Sequence, residues 1–145
     1  MLVDDESSIL DMLGAILQAE GLEVQTAASG KAARECLDHE DFDLVVTDLS
    51  METAMAGYGV ALPAKDHPHK PARLVISAYP ELLNEWQSQG ADAMLHKRCR
   101  VPELLALIRM LLERRGRGDH SGTLPVMHQR KNDNAELERP STRWL

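Results

Sequence analysis

Apolar positions along this chain follow two rhythms that alternate with each other. The runs "FDLVVTD" (42–48) and "ARLVISA" (72–78) are rich in β-branched residues and lack polar–apolar alternation, the pattern of strands buried on both faces. Leu22–Ala27 alternates like a strand, Met1–Val3 reads as the end of another, and "AMLHK" (93–97) as a fifth. Helical spacing separates them. Ile9, Leu13, Ile16 and Leu17 recur within Ser7–Glu20 ahead of Gly21, and "SGKAARECLDHE" (29–40) carries helix formers behind a Ser-Gly start. Pro80–Gln89 reads as a helix before Gly90, and "VPELLALIRMLLERR" (101–115) as an amphipathic one with Pro102 in its first turn and arginines in its last. "GYGVALPAKDHPHKPA" (57–72) holds Pro63, Pro68 and Pro71, so a loop with at most a turn or two of helix is expected there.

Such βα alternation predicts an α/β fold: a doubly wound, five-stranded parallel sheet with right-handed crossovers and helices on both faces. In open sheets of this kind ligands sit beyond the carboxyl ends of the strands, and in the flavodoxin-like order 2-1-3-4-5 the switch point falls between strands 1 and 3. Asp4 and Asp5 end strand 1, Asp48 ends strand 3, Ser77 ends strand 4 and Lys97 ends strand 5. All five converge on one edge. Asp43 begins strand 3 at the opposite edge and is expected to be a solvated turn carboxylate.

Composition narrows the classes. With 145 residues, 43% hydrophobic and 27% charged, the chain suits one domain, placed at 1–115, and a polar tail at 116–145 broken by Gly and Pro. The tail is expected to be flexible, with Leu124, Val126, Trp144 and Leu145 as docking anchors in a second reading. No apolar run approaches the roughly 18 residues of a membrane span, and no secretory signal precedes the first strand. No membrane association and a cytoplasmic location are therefore expected. Residues 1–115 carry 11 basic against 19 acidic side chains, a charge of −8, while 116–145 carry 5 against 4. An acidic body without a basic face argues against nucleic acid as a direct partner. Cys36 and Cys99 have no metal or disulfide spacing and read as small packed thiols.

"LVDDE", "LVVTDLSM", "LVISA" and "GADAMLHK" stand in an order and spacing that resemble the receiver domain of bacterial two-component response regulators, over residues 1 to about 115. The resemblance implies a phosphoacceptor at Asp48, phosphorylated by a histidine kinase or phosphotransfer protein, and altered contacts with a downstream protein. It also implies Mg²⁺ at Asp4, Asp5, Asp48 and the backbone carbonyl of Ser50, phosphate contacts from Ser77 and Lys97, and a switch at Ser77 and Met94. The chemistry agrees with the residue types. A carboxylate becomes a phosphoryl acceptor only if the charge on the incoming oxygens is neutralised, and Mg²⁺ takes one or two carboxylates with other oxygens completing its shell. Without metal, three neighbouring carboxylates repel one another, so raised pKa values are expected.

Blander readings compete. Asp4, Asp5 and Ser7 taken alone suit a helix cap; their coincidence with Asp48 favours a site. Lys97 alone would be a snorkelling surface group, and Ser77 alone a loop residue. His67 and His69 lack a third ligand and read as exposed loop residues, and Met51, Met55 and Met94 read as packing.

Departures from the family pattern bear on output. Met94 stands at the aromatic switch position, Arg98 where proline usually follows the lysine, Glu52 where proline is common, and Gly57 one residue late. A trans bond or strained loop is expected at Arg98. Strand 1 is shorter than its family counterparts, which leaves an upstream start open. The expected partner face, including one for a homodimer, is the fourth helix, fifth strand and fifth helix, with Glu81, Trp86, His96 and Arg109. Two other classes compete: a phosphorylation-independent pseudo-receiver, which the intact acids and lysine oppose, and a Mg²⁺-dependent phosphohydrolase, which should show an acid where Ser50 stands.

Overall fold

The computed structural model describes residues 1–79 and 86–119. Its elements run β1 (Leu2–Val3), α1 (Ser7–Ala19), β2 (Thr26–Ala27), α2 (Gly30–His39), β3 (Leu44–Asp48), α3 (Tyr58–Asp66), β4 (Ala72–Ser77), β5 (Ala93–His96) and α4 (Val101–Gly116). The strands form one sheet in the order β2-β1-β3-β4-β5, every neighbouring pair parallel. This is the expected doubly wound architecture.

Side-chain alternation splits the apolar runs between two cores. Leu44 and Val46 of β3, Leu74 and Ile76 of β4, and Ala93 and Leu95 of β5 pack with Leu10, Leu13 and Leu17 of α1 and Leu104, Leu107, Ile108 and Leu111 of α4. The intervening Val45 faces Ala33 and Leu37 of α2 and Val60 and Ala64 of α3. Val75 and Met94 meet Leu49, Tyr58, Ala61, Trp86 and Ala91 on that same side. All five residues of β3 are buried, which is why its sequence lacks alternation. Local chemistry closes the ends: Ser29 Oγ accepts from the Ala32 N–H to cap α2, and Pro102 sits in the first turn of α4, whose last turn carries Arg114 and Arg115. At the amino edge, Arg73 of β4 holds the turn before β5 by pairing with Asp92 at 2.7 Å and donating to the Gly90 carbonyl. Asp43, exposed as expected, pairs there with Arg115 and His69.

The structure corrects some expectations. Residues 58–66 are not a loop: α3 runs nine residues with Pro63 inside it. Proline there removes one backbone bond and costs roughly 3 kcal/mol. Burial of Tyr58, Val60, Ala61 and Ala64 against the sheet outweighs that, because tertiary packing rather than propensity stabilises most helices. β2 pairs only at Thr26–Ala27 rather than over Leu22–Ala27, since β1 offers it only Leu2 and Val3 as partners. Met55 is 41% exposed rather than packed. For the expected helix at Pro80–Gln89, residues 80–85 lie outside the described residues, and Trp86–Gly90 close in turns. The tail from His120 onward also lies outside them. The described peptides are trans, and Arg98 adopts the left-handed region at φ 75°, the strained loop expected there. Among the described residues no helix is long and apolar enough to cross a membrane.

Gly57 holds the start of α3 against the end of β3. Its N–H donates to the Leu49 carbonyl at 2.9 Å, and a Cβ at this position would lie 2.3 Å from the Asp48 carbonyl oxygen and 2.7 Å from Leu49 Cα. Both are backbone atoms that cannot step aside. Gly57→Ala is therefore expected to lower the unfolding free energy by about 3 kcal/mol, the upper part of the usual overpacking range. Urea unfolding followed by far-UV circular dichroism checks this; a midpoint equal to wild type would contradict it.

Candidate functional site

Parallel pairing places the ends of β1 and β3 side by side: Leu2 is level with Val46 and Val3 with Thr47, so Asp4 and Asp48 emerge from neighbouring strands at the same height. Both are buried, at 4% and 6% exposure, whereas Asp5 is exposed. One carboxylate oxygen from each of Asp4, Asp5 and Asp48 falls within 4.8 Å of the others. Lys97, following β5, reaches across to place Nζ 2.9 Å from Asp48 Oδ2 and 3.9 Å from Asp4 Oδ2. The Glu6 N–H donates to Asp4 Oδ1 at 2.9 Å, and the Ser50 N–H donates to the Asp48 carboxylate.

Three acids against one lysine leave the cluster short of positive charge. Burial raises the Asp4 pKa above the ordinary carboxylate value, opposed by the Glu6 N–H and Lys97 and reinforced by Asp48 and Asp5. Burial likewise raises Asp48, more than the hydrogen bond and charge of Lys97 and the Ser50 N–H lower it. Repulsion between carboxylates contributes as expected, but burial is the larger cause. For Lys97 burial disfavours the charge, yet the hydrogen bond to Asp48 and the charges of Asp48, Asp4 and Glu6 outweigh it and raise the pKa. Converging hard oxygens from Asp4, Asp5 and Asp48 with unneutralised charge fit a divalent cation such as Mg²⁺.

Other expected residues sit differently. Ser77 ends β4 and is 1% exposed, but its hydroxyl serves its own turn, accepting from the Tyr79 N–H at 3.0 Å and donating to the Tyr79 carbonyl at 3.2 Å. Met94 is wholly buried among Leu49, Val75 and Trp86. Trp86, expected on a partner face, is instead 3% exposed in that same core. Arg109 lies on the exposed side of α4 and pairs with Glu20. His96 is half-buried and Glu81 lies outside the described residues. His67 Nε2 meets the Leu37 carbonyl and His69 meets Asp43, and no metal-ligand cluster includes them among the described residues. Cys99 is buried, its thiol pushed up to about 11 by burial, and Cys36 is half-buried. Thr47, buried at 1% with its hydroxyl on the Asp48 carbonyl, was not legible beforehand, because a Thr in a β-rich run carries no signal beyond strand propensity.

The family model of the response regulator receiver domain matches residues 1–109. Among curated proteins the chain is similar to the heme response regulator HssR of Staphylococcus aureus (strain bovine RF122 / ET3-1), 30% identical over 116 residues that cover 79% of this chain and 51% of the relative. The chain thus spans about half the length of that relative. Among solved structures it is similar to a CheY-like receiver domain protein from Methanospirillum hungatei JF-1, with TM-score 0.74 and 26% identity over 81% of this chain and 94% of the other. It also resembles the response regulator TrrA of Thermotoga maritima, solved in complex with Mg²⁺-BeF, with TM-score 0.68 and 28% identity over 76% and 95%.

The electrostatics set a pH dependence. A carboxyl whose pKa is raised on folding adds stability that is complete below its unfolded value near 3.8 and is lost as pH rises through the higher native value. Metal-free protein is therefore expected to gain stability as pH falls from neutrality toward 4 so far as Asp4 and Asp48 decide it. Asp4→Asn keeps an oxygen for the Glu6 N–H but removes the charge, and should unfold at a higher temperature than wild type in chelator at pH 7. That advantage should vanish below the unfolded pKa, where Asp4 is neutral in both states. Thermal unfolding of the two proteins at pH 7 and at acid pH checks this; an Asp4→Asn protein no more stable at pH 7 would contradict it.

Proposed function

The chain belongs to the response regulator receiver domain family of two-component signalling, and from that premise we propose that it accepts a phosphoryl group on Asp48 and changes its protein contacts in consequence. The observation that carries this is the cluster of three carboxylate oxygens within 4.8 Å, with Lys97 Nζ 2.9 Å from Asp48. Partners of two kinds follow: a histidine kinase or phosphotransfer protein as donor, and a downstream protein as receiver of the signal. The working unit is residues 1–115, acting in the cytoplasm.

An oxygen of the Asp48 carboxylate attacks the phosphorus of a phosphohistidine; the new O–P bond forms as the N–P bond breaks, and the departing imidazole nitrogen keeps the electron pair and takes up a proton from water. Asp5, Asp48 and the Ser50 carbonyl, with Asp4 beside them, would hold a Mg²⁺ ion, whose charge would screen the acids from the phosphoryl oxygens. That the Thermotoga relative was solved in complex with Mg²⁺-BeF supports the choice of cation. Lys97 moves its ammonium from the Asp48 carboxylate to a phosphoryl oxygen. To donate a hydrogen bond to another, the Ser77 hydroxyl must give up the one it donates to the carbonyl of Tyr79, a residue 50% exposed. Met94 provides no ring to swing and is packed to 0% exposure. The change therefore leaves the site through the Ser77–Tyr79 turn.

Incubating the chain with acetyl phosphate and Mg²⁺ and weighing it intact tests the reading. Wild type is expected to gain one phosphoryl group; Asp48→Ala and a chelator-treated sample should gain none, and Lys97→Ala should gain it more slowly. A folded wild-type chain that gains no mass would overturn the proposal, and steady phosphate release from small phosphomonoesters would point to a hydrolase instead. Thermal stabilisation by the ion gives a second check, since Mg²⁺ at a hundredfold excess over its dissociation constant adds about 2.7 kcal/mol to a protein that binds it only when folded.

A further inference from the structure

Between β3 and α3 the chain crosses the mouth of the acid cluster. Leu49 and Gly57 close the base of this loop through the Gly57 N–H and the Leu49 carbonyl, at 2.9 Å. Inside it, Ser50 Oγ donates to the Ala54 carbonyl at 3.1 Å and the Met51 N–H to the Thr53 carbonyl at 3.0 Å. Glu52, Thr53, Ala54 and Met55 form an exposed tip. Among the described residues one hydrogen bond ties that tip to another element: the Gly30 N–H donates to Glu52 Oε1 at 2.8 Å. Gly30 is the first residue of α2, so its N–H has no partner within the helix, and the positive end of the helix dipole favours a carboxylate over a neutral acceptor. Gly30 also admits the approach, since a Cβ there would lie 2.9 Å from the same carboxylate oxygen.

Only Met51 separates Glu52 from Ser50, whose N–H binds Asp48 and whose carbonyl would be a cation ligand in the phosphoacceptor reading. We propose that Glu52 is a positioning residue for the cation, latching the loop onto α2 so that the Ser50 peptide is already oriented before the ion arrives. This rests on that reading. Without the latch the tip is held by its own internal bonds alone, and cation binding must also bear the entropy of ordering the loop. A proline at this position would stiffen the loop through its ring; Glu52 achieves the same end by a contact across the fold.

The test uses the full chain and Mg²⁺ alone, titrated by calorimetry, with thermal unfolding and amide hydrogen exchange on the metal-free proteins. Glu52→Ala should weaken Mg²⁺ binding about tenfold, the low end for groups that orient metal ligands. It should also speed exchange at residues 50–56 while leaving β3 and β4 unchanged. Glu52→Gln, which keeps an acceptor oxygen, should restore most of both. Gly30→Ala, which displaces the carboxylate, should mimic Glu52→Ala, and the double variant should be no worse than either single one. A wild-type chain that binds Mg²⁺ as tightly as Glu52→Ala overturns the latch, as does a fall in stability without a change in affinity, which would reduce Glu52 to a helix cap. If wild type binds no Mg²⁺ while Glu52→Ala still loosens the loop, the phosphoacceptor reading fails and the assignment of Glu52 to the cation falls with it.

Discussion

Two carboxylates buried side by side are the constraint on which the rest of this molecule depends. Asp4 and Asp48 leave adjacent parallel strands at the same level, both nearly shielded from water, and among the described residues Lys97 is the cation that reaches both. Burying like charges costs free energy unless a partner compensates them. A fold that sustains such a site must draw its stability elsewhere, and here it comes from the two apolar layers that sandwich the sheet.

Those layers also set the site's precision. β3 is buried on both faces, so Asp48 cannot shift without disturbing Val45 and Val46 beneath it. Gly57 locks the far end of the loop against the same strand, where an added Cβ would collide with the Asp48 carbonyl. Between these anchors the loop presents the Ser50 peptide to the acids, and its tip reaches α2 through Glu52 and Gly30. The rigid sheet edge carries the acids, and the more exposed loop carries the backbone groups assigned to the cation in the proposed function, a division common where function is built on loops over a scaffold.

The output side is less conventional than the acid side. Met94 fills a fully packed core position with Trp86 and Val75 rather than offering a movable ring, and Ser77 spends its hydroxyl on its own turn. Arg98 occupies left-handed backbone immediately after Lys97, a conformation costing of order 1 kcal/mol or more for a residue with a side chain. In the phosphoacceptor reading proposed above, the route out of the site is the backbone around Ser77 and Tyr79.

Much of this was legible in the residues themselves. The doubly wound order, the convergence of Asp4, Asp5, Asp48, Ser77 and Lys97 on one edge, and the cap at Ser29 follow from periodicity and local chemistry, because each depends on neighbours a few positions away or on which end of a strand a residue occupies. Tertiary structure alone decided the rest. α3 persists through Pro63 because Tyr58, Val60 and Ala61 find a sheet to pack against, a gain no local propensity contains. Trp86 is in the core rather than on a partner face, and Ser77 is turned to Tyr79, because side-chain direction depends on packing from distant elements. Glu52 meets Gly30 across 22 positions of sequence. Spacing along a chain determines which edge of a sheet a group reaches; which group it touches there is decided by how the layers close over one another.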